Sequence, residues 1–570
     1  MSESKYWNRF WRRRISRRAL LGAGAVTALG AASAAVVGCD GDGGNGGPSQ
    51  TTPGTGSPSA GTPRPGGSVT QGRLINALGV DPHIDLTGLD IDMLMYTYLY
   101  SWQPSVEKAV LNNFVTDMEF PDPLHINFTL RQGVKNWPVG PAADEELTSL
   151  DCKESFIRRG TAISAPDRRF PQRFLPENGG RLETPDDYTF NIVLTEPFVP
   201  AIQDMANPTW AIVPAKVMHK YHTRLSQVAF GSGPFMLDEF RGYERIVLKR
   251  HPNFFLNPRP WLDEHRIIVI TEGSSLLAAF RSGQHDINGA ILTKPDAEQL
   301  MENDNFIVDK YPSLFYPVIH MKVIRPPFDD KRVRKAIDLA LDRDDFINTI
   351  WHGEGAYGGP IQWPQVKWAL PQEELRSFYR HDVEEAKRLL AEAGLPDGFK
   401  TKMKLPKLPG AAIIGDMAVL IKDQLRRVGI DIELDEVELG AFISSTILPG
   451  NFDMAFFPNL PYPEPDRPLS FYHSKGVTGT GNWTNYTNPD LDVLIDAQAV
   501  EFDEEKRREI ILEAQRMILP EHGPQLTLPG SFAYAARWKH VHIPTVYGPL
   551  GPELPEGAGP LGADVWVDEA

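Results

Sequence analysis

The sequence predicts an α/β protein whose partly parallel sheets are divided between lobes. Short strands of period-two alternation interleave with end-marked helices through the whole body, the pattern of α/β layers. No internal repeat interrupts it, and 570 residues are enough for two or three separate cores.

The first forty residues read as a targeting segment, outside the fold. Lys5, Arg9, Arg12, Arg13, Arg14, Arg17 and Arg18 stand against one acid, Glu3, and an uncharged run of mainly Ala, Gly and Val extends from Ala19 to Gly38. That run is long enough to cross a bilayer, but its glycines and the cysteine that closes it favour a cleaved leader over a permanent anchor. Ser16-Arg17-Arg18-Ala19-Leu20-Leu21 resembles the twin-arginine export motif. Val36-Val37-Gly38-Cys39 resembles a bacterial lipobox, in which Cys39 is lipidated and begins the mature chain. Asp40 after it resembles an inner-membrane retention signal. Residues 40–67 are almost wholly Gly, Pro, Ser and Thr, with no apolar face to bury. They read as a flexible tether reaching on the order of 30 Å.

Charge narrows the function classes. The formal net charge of −16 becomes −22 once residues 1–38 are removed. So acidic a body argues against nucleic acid as a partner, because that affinity rests on Lys and Arg neutralising phosphates. Besides Cys39 there is only Cys152, so no internal disulfide or thiolate metal site is expected, and Cys152 reads as packing near a helix start. The histidines contain no H-x-x-x-H pair, and no metal or cofactor is expected.

Through the body, 125–131, 188–194, 245–249 and 266–270 read as strands. Val333, Ile337, Ala340, Leu341, Ile347 and Trp351 fall on one helical face, with Asp329 or Asp330 as its cap. Asp382-Val-Glu-Glu385 is a capping-box variant, and its helix ends at Gly394. A helix over about 414–428 feeds a strand over 430–434. Asn488-Pro489 starts another helix, and a last long one covers about 503–519.

Several phrases then resemble one family, the family-5 extracellular solute-binding proteins of ABC transporters (the oligopeptide, dipeptide and nickel-binding group). They include Phe128-Thr-Leu-Arg-Gln-Gly-Val-Lys135, Leu147-Thr-Ser-Leu-Asp151, Gly231-Ser-Gly-Pro-Phe-Met-Leu237, Ser282-Gly283 with Asp286-Ile287, Pro326-Pro-Phe-Asp-Asp-Lys-Arg-Val-Arg-Lys-Ala-Ile337 and Asn482-Trp-Thr-Asn-Tyr-Thr-Asn-Pro489. They keep the family's order from about residue 68 to 540. The resemblance implies a type II periplasmic-binding-protein fold with an extra subdomain. Lobe I would combine 68–100, 188–288 and 525–570, with 101–187 inserted in it, and lobe II would be 289–524. It also implies a monomeric, exported binding protein on the outer face of the cytoplasmic membrane. Such a protein takes a small solute of peptide or sugar class between its lobes and passes it to an ABC permease.

Pro461-Tyr-Pro-Glu-Pro-Asp466 resembles the family's cleft loop, but Pro461 stands where peptide-binding members keep an aspartate for the peptide ammonium. Glu464 and Asp466 are the alternatives, although a proline-rich exposed loop is the expected home of both. Trp102, Trp210, Phe235, Trp363, Tyr462, Asn482 and Trp483 lie at or beside phrases that line the cleft in the family. An aromatic wall with few charges suits a sugar face or an apolar ligand. The rival readings are a receptor for a membrane sensor and an exported hydrolase. Against the hydrolase, the sequence carries no G-x-S-x-G and no H-E-x-x-H.

Overall fold

The computed structural model describes residues 15–16, 62–85, 87–103, 108–162, 169–222, 224–313, 316–363, 365, 367–407, 412–459, 464–478, 481–543, 547–548, 551–552 and 563–568. Cys39 and the tether as far as residue 61 lie outside them.

Strand β1 (Ser68–Arg73) opens the first sheet and is then abandoned for an antiparallel one. That antiparallel sheet contains β2 (Val115–Asp122), β3 (His125–Leu130), β4 (Arg181–Asp186) and β5 (Thr189–Val193), in the order β2-β3-β5-β4, with Ile15–Ser16 paired beside β2. Helix α1 (Ser149–Thr161) packs on it, started by a capping box between Thr148 and Asp151, with Cys152 buried in its first turn. The expected subdomain boundary at residue 187 falls inside the β4–β5 hairpin. The antiparallel sheet therefore runs on to Val193, and its core reaches Phe198 and Trp210.

The chain next completes the first sheet with β6 (Phe235–Arg241), β7 (Arg245–Arg250) and β8 (Glu264–Val269), in the order β1-β8-β7-β6, with β1 and β8 parallel. Helix α2 (Gly273–Arg281) covers one face. Ile287 then bridges Gln71 in parallel, and Gly289 packs so closely on Gly72 that a Cβ there would lie 1.9 Å from the Gly72 carbonyl oxygen.

Helix α3 (Lys294–Met301) leads to β9 (Phe306–Pro312), which leaves this unit, and β10 (Tyr316–Met321) begins the next. Two helices, α4 (Lys331–Ala340) and α5 (Arg343–Thr349), replace the single one expected over 333–351. Leu341 is extended, and the Asp342 carboxylate accepts from the Asp345 N–H, so a second cap ends the first helix and starts another. Helix α6 (Val383–Glu392), β11 (Phe399–Lys407), α7 (Ala412–Arg426), β12 (Ile430–Glu438), β13 (Met454–Asn459), α8 (Pro489–Val500), α9 (Glu504–Ile518) and β14 (Gln525–Thr527) complete the unit. Its sheet order is β12-β11-β13-β10-β14, with β11, β12 and β13 parallel. Gln525–Thr527, expected in lobe I, pairs with β10 in this second sheet, because the chain crosses back only in β15 (Gly530–Trp538).

β15 is antiparallel to β9 along its whole length, and the pairing continues into the second unit through Ser313 N–H to Ser531 and Leu528 N–H to Pro317. Two paired strands therefore connect the units. β9 runs outward in the direction of β1, and β10 begins beside the carboxyl end of β13 at the pair Tyr316–Asn459. The carboxyl ends of the parallel strands in both units consequently face one gap, the edge at which open α/β sheets bind ligands.

Candidate functional site

On the first unit the gap is bordered by the segment after β1 and by the segment that passes Gly289. Three aliphatic side chains are open here: Ile75 (39% exposed), Leu78 (58%) and Ile291 (55%). Arg73, the last residue of β1, is turned away from a solute role. Its guanidinium donates to both oxygens of Asp90, at 3.1 and 3.0 Å, and to the carbonyls of Ile75 and Thr87. After β8, the Glu272 carboxylate caps α2 by accepting from the Ser274 and Ser275 N–H groups, and hydrogen bonds from the Ser275 side chain and N–H, then from the Ser274 side chain and N–H, hold it at about 2, well below the usual glutamate range.

On the second unit β11 and β13 end at the same edge, and their chains leave through residues 408–411 and 460–463, outside the described residues. Pro461 and Tyr462 fall in the latter. The Glu438 carboxylate at the end of β12 accepts from the Ala441 N–H. At the crossing, Asp309 pairs with Arg537, and Trp363 meets Phe532 edge to face at 5.3 Å between ring centroids.

The predicted site residues are thus scattered. Trp363 stands against the crossing strand, half-buried. Trp102 lies in the strand Tyr100–Gln103. Trp210 is buried in the antiparallel unit among Phe156, Phe170 and Phe174, with the Arg159 guanidinium over its ring, and Phe235 is fully buried in the core of the first sheet. Asn482 and Trp483 lie at the opposite, amino-terminal edge of the second sheet, where Val323 N–H donates to Thr484 and the Lys322 ammonium donates to the Trp483 carbonyl at 2.8 Å. The buried Asn482 side chain pins a turn by donating to the His473 and Tyr486 carbonyls and accepting from the Tyr486 N–H.

Glu464 and Asp466, expected on an exposed loop, are buried (4% and 1% exposed). Glu464 pairs with Arg507, which also donates to the Gln498 carbonyl at 3.0 Å and its side-chain oxygen at 2.9 Å. Asp466 accepts from Gln498 and, at 2.7 Å, from Arg169 of the antiparallel unit. Partners distant in sequence carry both carboxylates inward. Beside them Val199 N–H donates to the Ala499 carbonyl, so the antiparallel unit and α8 touch across the gap, far from the crossing strands in the chain. The open aliphatic border at Ile75, Leu78 and Ile291 was not singled out from sequence. By their side chains these three look like ordinary core positions, and only the exposure in the fold sets them apart.

Residues 114–481 match the family model of bacterial extracellular solute-binding proteins, family 5, middle region. The glutathione-binding protein GsiB of Salmonella paratyphi A is 25% identical over 319 residues, 56% of this chain and 59% of that protein, so the match spans little more than half of each. The probable D,D-dipeptide-binding periplasmic protein DdpA of Escherichia coli is 24% identical over 402 residues, 69% of this chain and 74% of that one. Among solved structures, Helicobacter pylori DppA in complex with the peptide STSA superposes with a TM-score of 0.75 at 22% identity, covering 89% of this chain and 99% of that one. AgaA in complex with agropinic acid gives 0.76 at 22%, covering 88% and 99%. Two α/β lobes joined by a pair of crossing strands are the type II periplasmic-binding-protein fold of those structures, and the chain belongs to the family-5 bacterial extracellular solute-binding proteins.

Proposed function

We propose that this chain captures a small organic solute, of peptide type in the first instance, between its lobes and delivers it to an ABC import permease. The observation that carries the reading is the convergence of two parallel-strand carboxyl edges on one gap, spanned among the described residues by two connecting strands. That arrangement lets the lobes hinge, and a solute that touches both edges binds the closed form better than the open one. The relatives that bind glutathione and dipeptides support a peptide-type cargo over a sugar. On this reading lobe I holds β1, β6–β8 and the returning β15, lobe II holds the sheet from β10 to β14, and the antiparallel unit is the insertion. Cys39 carries a lipid that holds the body at the outer face of the cytoplasmic membrane, and the chain acts by binding, without catalytic turnover.

Native mass spectrometry of the gently purified full chain tests the cargo. A retained peptide-type solute, released on unfolding, is the expected outcome; a retained oligosaccharide would replace the peptide class. For the anchor, Cys39→Ser should move the protein from the membrane fraction to the soluble one, and unchanged fractionation would sink the lipoprotein reading.

A further inference from the structure

The lobes meet at a second place besides the crossing strands. The antiparallel unit is fastened to the first lobe. Trp137 is buried in the core of the first sheet, and it donates from its N–H to the Gly231 carbonyl at 2.9 Å and from its indole to the Gly233 carbonyl at 3.3 Å. The Ala215 N–H likewise donates to Asp151 of α1 at 2.7 Å. From this unit Arg169 pairs with Asp466 of the second lobe, 297 positions away, at 2.7 Å, with 16% and 2% of the two side chains exposed.

Each side of the pair is held within its own unit. The Arg169 guanidinium lies 5.8 Å from the Phe198 ring, and its carbonyl accepts from Arg173 at 2.6 Å. Arg173 in turn lies 4.3 Å from the same ring and pairs with Glu196 at 2.7 Å. In the second lobe the Asp466 carboxylate accepts from the Gln498 amide, and among the described residues Arg169 is the cation it pairs with. Asp496 of α8 puts a further carboxylate 3.9 Å from the Arg169 guanidinium. Beside the pair the Val199 N–H donates to the Ala499 carbonyl at 2.8 Å, and Ala499 packs into the apolar core of the antiparallel unit.

The crossing end carries its own charged cluster. Glu354 pairs with Lys294 at 3.2 Å and with Lys310 at 3.0 Å, and it accepts from the Tyr534 hydroxyl. Lys310 and Tyr534 lie on the crossing strands themselves, whereas Arg169, Asp466, Val199 and Ala499 do not. A rotation about those strands moves groups on the axis little and groups off it more. Opening the gap therefore parts Arg169 from Asp466 while the Glu354 cluster stays nearly in place. It leaves Asp466 with an amide where it had a cation, and it takes Ala499 out of an apolar core.

On the reading that the lobes hinge about the crossing strands, we infer that Arg169 and Asp466 form a clasp that holds the cleft closed without solute. The closed form then takes part of its stability from the protein, so solute binds a state that is already populated. The clasp must also part before solute enters or leaves. One ion pair of the protein itself therefore raises solute affinity and slows solute exchange together.

The distance between two spin labels tests this, in the full chain carrying Cys39→Ser, Leu150→Cys and Val493→Cys and shown by native mass spectrometry to hold no solute. Leu150 and Val493 are exposed positions on α1 and α8, and Cys152 is buried away from label. The labelled parent should give a single short distance. Arg169→Ala should add a longer one and raise the ratio of open to closed molecules about ten-fold or more. Arg516→Ala, which removes a pair with Glu374 inside the second lobe, should keep the parent distance. If Arg169→Ala does not fold, Ala499→Trp wedges the same contact from the other side and is read by the same outcomes. A parent already open without solute overturns the clasp and keeps the hinging. Arg169→Ala at the parent distance overturns the clasp, as does equal opening by Arg516→Ala. The short distance persisting when Arg169→Ala and Ala499→Trp are combined removes the hinging as well.

Discussion

Arg507→Met should lower the stability of the second lobe by about 3–5 kcal/mol, because it leaves Glu464 buried without its cation. Arg507 and Glu464 have 3% and 5% of their side chains exposed, so water cannot take over for the missing partner. The guanidinium also holds Gln498, and Gln498 in turn donates to Asp466, so the loss spreads along one polar network. At a few degrees per kcal/mol for a unit of this size, the melting transition should fall by about 10 °C. The double variant Arg507→Met with Glu464→Met should recover most of that loss, since apolar side chains of similar volume can replace a buried pair at little cost. Calorimetry of the three proteins decides it. A single variant within 1 kcal/mol of the parent, or a double variant no better than the single, would contradict the account.

The same network shows where sequence reading stops. Helix starts are local chemistry, so Asp330, Asp382 and Asn488 were identifiable as caps, and each side chain accepts from an N–H of its own first turn. Half-buried strands such as His125–Leu130 were legible for the same reason, through alternation. Glu464 and Asp466 were not. Prolines on either side make the stretch look exposed, and the residues that draw it inward, Arg507 and Arg169, lie 43 and 297 positions away. Trp483 and Asn482 look like a binding loop because Gly and Asn surround them, but the turn serves to tie α8 to the amino edge of its sheet. Leu78 and Ile291 have the opposite problem: an apolar residue advertises a core, and only the topology exposes it. The family phrases carried the fold because they record the order of elements along the chain.

Acidification should destabilise the protein steeply between about pH 6.5 and pH 4. Burial lowers the imidazoles of His83, His251, His265 and His285 from the usual 6.5 to about 4, and that of His320 to about 3. In this window the unfolded chain binds protons that the folded chain refuses, so folding stability falls as pH falls and levels off below the folded values. A fully buried imidazole shifted this far contributes on the order of 3 kcal/mol to the loss, and several together rival the whole stability of a domain. Asp92 opposes them: burial, with Asp90 and Asp85 nearby, raises its carboxyl well above the usual aspartate range, so it favours the folded state as pH falls, and burial raises the Asp151 and Asp564 carboxyls in the same direction, but these three stand against five imidazoles. Four of the imidazoles lie in the first lobe, so its transition should drop first in calorimetry from pH 7.5 to pH 4.5. His320 provides the cleanest single test. Its ring is fully buried and stacks on Phe457 at 4.0 Å between centroids, and among the described residues neither ring nitrogen has a hydrogen-bond partner. His320→Phe therefore removes a titration without breaking a hydrogen bond. Whatever the larger ring costs at neutral pH, the loss of second-lobe stability between pH 7.5 and pH 4.5 should be about 3 kcal/mol smaller in the variant than in the parent. Equal losses in the two proteins would show that the His320 imidazole finds water or a partner on protonation, and that burial at this site does not oppose its charge.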